Sequence, residues 1–96
     1  MEPKREEIIA LLGKKYVMQL ILFVREHPGC IKSDAIRAIK GSDRTLFLRI
    51  EDLIRVGLFL ENDDPRRSNT KKLYLSPEAQ ELAPLIERMF KLFPEE

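Results

Sequence analysis

Up to residue 57 the apolar positions recur at helical spacing; beyond it they fall into two short runs separated by a polar tract. Pro3 suits the first turn of a helix, and Glu6 and Glu7 favour the positive end of its dipole. Ile8, Ile9, Leu11 and Leu12 follow, then Gly13, which costs about 1 kcal/mol relative to alanine inside a helix. The pattern therefore allows two helices meeting at Gly13 or one helix with a weak point there. From Tyr16 to Phe23 the chain is apolar nearly all round, which predicts a central, buried helix. His27-Pro28-Gly29 ends it by turn chemistry.

Ser33 is placed to cap a short helix carrying Ala35, Ile36 and Ile39. Lys40-Gly41-Ser42 reads as a turn, with Ser42 or Asp43 capping the next helix. That helix has an inward stripe of Leu46, Ile50, Leu53 and Ile54, and Gly57 stops it. Two short helices joined by a glycine-containing turn make a helix-turn-helix over residues 33–56. Leu58-Phe59-Leu60-Glu61 and Lys72-Leu73-Tyr74-Leu75 predict two strands, a hairpin over 58–75 with a long flexible tip at 62–70. Ser76-Pro77-Glu78 opens a last helix with Leu82, Leu85, Ile86, Met89, Phe90 and Phe93 at helical spacing. Pro84 is expected to bend or interrupt it. The fold class is α+β and mostly helical, one domain over 1–96.

The chain has 96 residues, 44% hydrophobic and 34% charged, enough for one core. A net charge of +1 excludes the simplest case for a nucleic-acid binder, a strongly basic whole chain, so position must carry that case. Residues 30–75 hold ten Lys and Arg against seven Asp and Glu, whereas residues 76–96 hold two against five. A basic middle and an acidic end suit one face turned to phosphates and another turned away. No apolar run approaches the ~18 residues that span a bilayer, and the start is too polar for a secretion signal. A cytoplasmic location is expected. Cys30 is the only cysteine, which excludes an intramolecular disulfide.

The segment Leu46-x-x-x-Ile50-x-x-Leu53-x-x-x-Gly57-Leu58, then a strand, a basic loop and Leu75-Ser76-Pro77-Glu78-Ala79, resembles the winged helix-turn-helix transcriptional regulators. It is similar to the HxlR type, and more loosely to the MarR and ArsR types. Gly13-Lys14-Lys15-Tyr16 falls where the HxlR type has Gly-Gly-Lys-Trp, so Lys14 and Tyr16 replace a glycine and the tryptophan. The resemblance covers roughly residues 10–90. It implies a homodimer on double-stranded DNA, with a recognition helix at about 43–56 in the major groove and the hairpin as a wing on the backbone or minor groove.

With Leu46, Ile50 and Leu53 inward, Arg44, Leu48, Glu51, Asp52 and Arg55 point outward, with Thr45 and Arg49 on one flank and Phe47 and Ile54 on the other. Recognition helices contact bases through their N-terminal turns, which hold Arg44, Thr45, Leu48 and Arg49. Arginine can bridge guanine O6 and N7, and Leu48 or Thr45 can touch a thymine methyl. Ser42 and the free N–H groups beside it can hold a phosphate. Arg66, Arg67 and Lys71 on the wing, with Lys72, are phosphate candidates, and Lys32 and Lys40 flank the shorter helix. Phe47 is expected to pack on a neighbouring helix. Should it be exposed beside Leu48, the alternative is a protein-interaction module without DNA binding.

The terminal helices, 3–27 and 77–93, are candidates for the dimer interface through Ile8, Ile9, Leu12, Met89, Phe90 and Phe93, because a small domain cannot easily bury them all. Any small-molecule effector would then sit at that interface. Cys30 is either a small core residue or a redox sensor tuned by a nearby cation. His27 and Cys30 are too few for structural zinc, and no cofactor is expected. No Gly-rich phosphate loop, nucleophile elbow or metal-binding helix occurs, and Asp63/Asp64 and Glu95/Glu96 lie in mobile or terminal stretches, so an enzyme is not expected.

Overall fold

The computed structural model describes residues 5–94, without the side chains of residues 67–69. The helix start expected at Pro3 lies outside the described residues. The order is α1 (Arg5–Leu12), α2 (Val17–Glu26), α3 (Lys32–Ala38), α4 (Asp43–Arg55), β1 (Phe59–Asp64), β2 (Arg67–Leu75) and α5 (Pro77–Leu92).

Gly13 separates two helices. Tyr16 takes a left-handed conformation, φ 74°, before α2 begins, a costly one for a residue with a Cβ. It turns the phenol ring onto the loop between α3 and α4, against Gly41, where a Cβ would collide with that ring. Helix α2 is the centre of the domain. Val17, Leu20, Ile21 and Val24 are wholly buried, and the helix packs on α5, β2, α4, α3 and α1.

Helix α3 starts two residues earlier than a Ser33 cap would place it. Ile31 is its N-cap residue, and the Ile31 N–H donates to Asp34 Oδ2 at 3.2 Å, so an acid inside the first turn does the capping. Ser33 sits exposed within the helix. Helix α4 begins as expected, with Ser42 Oγ accepting from the Thr45 N–H at 3.3 Å. It ends with the Gly57 N–H donating to the Ile54 carbonyl and the Leu58 N–H to that of Leu53. Gly57 has φ +83°, the left-handed closure that glycine permits. Leu46, Ile50 and Leu53 are fully buried, each worth roughly 1.5–3 kcal/mol, and Ile54 is half-buried.

The hairpin is longer and its tip tighter than the apolar pattern suggests. Phe59 pairs with Leu75, and the antiparallel ladder continues through Asn62–Lys72 and Asp63–Lys71 to Asp64–Arg67, with a register shift between Asp63 and Asp64. Ladder hydrogen bonds use backbone only, and opposite charges face each other across the polar part, so the strands do not stop where the leucines do. Gly29 N–H donates to the Leu73 carbonyl, and Leu73 N–H to that of Cys30, adding a short third pairing at the base of the wing.

Ser76 Oγ accepts from the Ala79 N–H at 3.1 Å and opens α5. The helix runs through Pro84 without interruption. Pro84 lies on the exposed side, where water can take the carbonyl it leaves unpaired. The inner face is Ala79, Ala83 and Ile86. Leu85 lies outside that face and is exposed. Four helices with the second pair forming a helix-turn-helix, a two-stranded wing and a closing helix make the winged-helix fold.

Candidate nucleic-acid interface

The buried stripe of α4 fixes what its outer side presents. Ser42 and Arg44 are exposed, Thr45 is half-buried, and Phe47 and Leu48 are 42% and 44% exposed. Arg44 makes no ion pair among the described residues, so its guanidinium is available. Arg49 is placed differently. Its side chain is only 18% exposed and its Nη1 donates to Asp52 Oδ2 at 2.8 Å. Asp52 also holds Arg55, at 3.5 Å.

Lys32 is likewise engaged within the chain. Its Nζ stands 3.0 Å from Glu51 Oε1 of α4 and 3.4 Å from Glu61 Oε2 of β1. Burial works to lower its pKa, but the hydrogen bond and charge of Glu51, joined by those of Glu61, outweigh it and raise the pKa above the ordinary lysine value. The same ammonium lies 5.5 Å from the centre of the Phe47 ring, within cation–π range. Phe47 thus meets the neighbouring helix α3 only through the Lys32 ammonium and is not buried against it as the sequence suggested. It stays exposed with Lys32 over one face, because the stripe at Leu46, Ile50 and Leu53 already fills the space between α4 and the core.

Lys32 lines a cleft of about 530 Å³ with Ser33, Glu51, Glu61, Thr70 and Lys71, so α4 and the wing meet across it. Lys71 and Arg66 are exposed on the wing. Arg66 makes no side-chain ion pair with Asp63 or Asp64 among the described residues, and its backbone N–H donates to Asp64 Oδ1 at 2.9 Å. The carboxylate that might have neutralised it serves the turn. The side chain of Arg67, the other tip arginine, lies outside the described residues. Lys40 is exposed just before Gly41, on the far side of α3 from Lys32.

Two of the three acids of α4 thus have partners within the chain, Glu51 in Lys32 and Asp52 in Arg49 and Arg55, while Asp43, Arg44, Arg66 and Lys71 make no ion pair among the described residues. This pairing of particular residues, invisible to a charge count, leaves Arg44 at the opening of α4 and Arg66 and Lys71 on the wing as the cations offered outward, with Asp43 beside Arg44.

On the terminal helices Ile9, Leu85, Met89, Phe90 and Leu92, with Phe93 just after, are exposed, Phe93 by 78%, and Phe90 shares a surface cleft with Lys40. Ile8 and Leu12 are half-buried against the chain's own core. Of the residues expected at a subunit interface, then, Ile9, Met89, Phe90 and Phe93 present apolar surface outward. Leu85, Met89 and Leu92 form one exposed stripe of α5 that continues into its C-cap residue Phe93.

Cys30 is buried at the base of the wing. Burial, then the charge of Asp34, pushes its thiol above the usual range, against the pull of a backbone hydrogen bond. No three or more His, Cys, Asp or Glu gather as a metal site among the described residues. No described helix is long and apolar enough to cross a membrane.

No protein-family model matches the chain, and no curated protein matches it. Solved structures do. The transcriptional regulator SlyA superposes with a TM-score of 0.79 at 22% identity, covering 90% of this chain and 61% of that one. A MarR-family transcriptional regulator from Listeria monocytogenes, complexed with a 26mer DNA, gives 0.78 at 23% identity over 90% of this chain and 57% of its own. FabT of Streptococcus pneumoniae in complex with DNA gives 0.70 at 17% over 88% and 63%. The chain spans about three fifths of the length of these structures. The likeness establishes a MarR-like winged-helix fold.

Proposed function

We propose that this chain binds double-stranded DNA sequence-specifically as a dimeric transcriptional regulator of the MarR-like kind, in the cytoplasm, and that it is not an enzyme. One observation carries the reading. The opening of α4 (Ser42, Arg44, Leu48) is exposed, and further along the same helix Glu51 faces Lys71 of the wing, which also bears Arg66, across a cleft. A helix of this diameter fits the major groove, and a cationic ribbon beside it reaches the backbone or the minor groove. Structural neighbours crystallised on DNA support the same placement.

Arg44 reads base edges, Thr45 and Leu48 touch thymine methyls, and Ser42, Lys40, Arg66, Arg67 and Lys71 contact phosphates. Lys32 and Arg49 act inside the protein, holding the wing and the reading helix in place. The exposed stripe of α5, with Ile9 of α1, supports a two-fold homodimer that spaces two reading helices ~34 Å apart or a multiple of it. The finer kinship with the HxlR type rests on Gly13-Lys14-Lys15-Tyr16, where Tyr16 does the work of covering Gly41.

The test is recovery of fragments from a genomic pool by the full chain at stated salt. The expected result is enrichment of an inverted repeat. Absence of any enriched fragment overturns the proposal. The exposed Phe47 and Leu48 favour a second reading, a protein-interaction surface. A partner captured without DNA, and lost on Leu48→Glu, would support it.

A further inference from the structure

Resting on that DNA-binding reading, we infer that Leu48 makes the chain's sequence preference depend on the C5-methyl groups of thymine. It does so by apolar contact in the major groove, with Arg44 as the hydrogen-bonding reader one turn before it.

The inference follows from what α4 has left to offer. A helix that reads by hydrogen bonds exposes several free polar side chains in its first turns. Here Arg49 is half-buried and bound to Asp52 at 2.8 Å, Thr45 is half-buried, and Glu51 is held by Lys32 at 3.0 Å. Asp52 is occupied by two arginines. Arg44 is the donor of those turns without an ion pair among the described residues. The next position on its line, four residues on, is Leu48, 44% exposed.

An aliphatic side chain gains nothing from phosphates or from base-edge donors and acceptors. The one apolar feature on the major-groove edge of a base pair is the thymine methyl. Charge settles the occupant. Leu48 stands one turn after Arg44, on a helix that faces Lys71 of the wing across the cleft, and these cations, without ion pairs among the described residues, outnumber the one such acid beside them, Asp43, and attract a polyanion. An apolar protein partner would have to bury those charges, at a desolvation cost.

The test needs no change to the protein's core. Duplexes selected from a random-sequence pool by the full chain are resynthesised with thymine replaced by uracil, one position at a time. Uracil keeps the pairing and O4 and loses only the methyl. The expected result is about fourfold weaker binding at one or two positions per half-site, the worth of one buried methyl, and no change elsewhere. Leu48→Ala, at an exposed site, should erase that difference, whereas Arg66→Ala should weaken thymine and uracil duplexes alike. Equal affinity for the two duplexes at every position overturns this inference and leaves the DNA-binding reading standing. So does a Leu48→Ala loss that is identical on both. Failure to select any duplex overturns the DNA-binding reading, and this inference with it.

Discussion

The Arg49 guanidinium donates to the Asp52 carboxylate at 2.8 Å, one turn further along α4. That bond makes two arginines of one short helix unequal, since Arg44 makes no ion pair among the described residues and Arg49 lines the inside of the domain. Arg44→Ala should change folding stability by no more than about 0.5 kcal/mol while relaxing base preference by about 1–3 kcal/mol. Arg49→Ala should do the reverse, lowering stability by about 1 kcal/mol with a smaller change in preference. Urea denaturation and duplex titration of both variants check this pair.

Lys32 ties α3 to α4 and β1 through Glu51 and Glu61. At neutral pH, Lys32→Met strands two carboxylates beside each other, and a loss of about 1–2 kcal/mol is expected. Lys32→Met with Glu61→Gln should recover part of it. The pKa of Lys32 is raised on folding, so its stabilisation is complete below the ordinary lysine value near ~10.4 and is lost as pH rises through the folded value. The stability difference between wild type and Lys32→Met should therefore be constant up to about pH 10 and shrink above it. A difference that shrank on going acidic, between pH 9 and 7, would contradict the clamp.

Tyr16 and Gly41 interlock, since a Cβ at residue 41 meets the phenol ring. Gly41→Ala should cost about 1–3 kcal/mol as an overpacked contact, and less in a Tyr16→Ala background. Thermal denaturation of the four-member cycle measures the coupling. Additive costs would show that the ring moves aside freely.

The exposed stripe of α5 should govern self-association. Met89→Glu and Phe93→Glu together are expected to leave a folded monomer, because both side chains already face outward. Sedimentation velocity and far-UV circular dichroism distinguish loss of the dimer from loss of the fold.

The frame of the fold was legible where burial and backbone chemistry point the same way. Leu46, Ile50 and Leu53 announce the inner face of α4, Gly57 its end, and Ser76-Pro77 the start of α5. Periodicity was silent about the wing beyond Leu60, because ladder bonds ignore side-chain polarity. It misplaced the α3 cap, since an acid two residues into the helix outcompetes a serine when its carboxylate can reach back to the Ile31 N–H. In the candidate site, exposure of Arg44 and Leu48 followed from the helical wheel. The capture of Lys32 by Glu51 and Glu61 did not, because it depends on which elements lie side by side, whereas the Arg49–Asp52 pair, three residues apart on one helix, was open to the same wheel and was missed. Pro84 was expected to bend or interrupt α5, and the helix runs through it because the ring lies on the side turned to solvent.

The central claim is that α4 and the wing form one cationic surface for a duplex. Affinity of the full chain for a selected duplex, measured across a range of salt concentrations for wild type and Arg66→Ala, tests it most directly. The account expects log affinity to fall linearly with log salt, and Arg66→Ala to weaken binding on every sequence and reduce the slope by about 1. A slope unchanged by Arg66→Ala, or binding indifferent to salt, would contradict it.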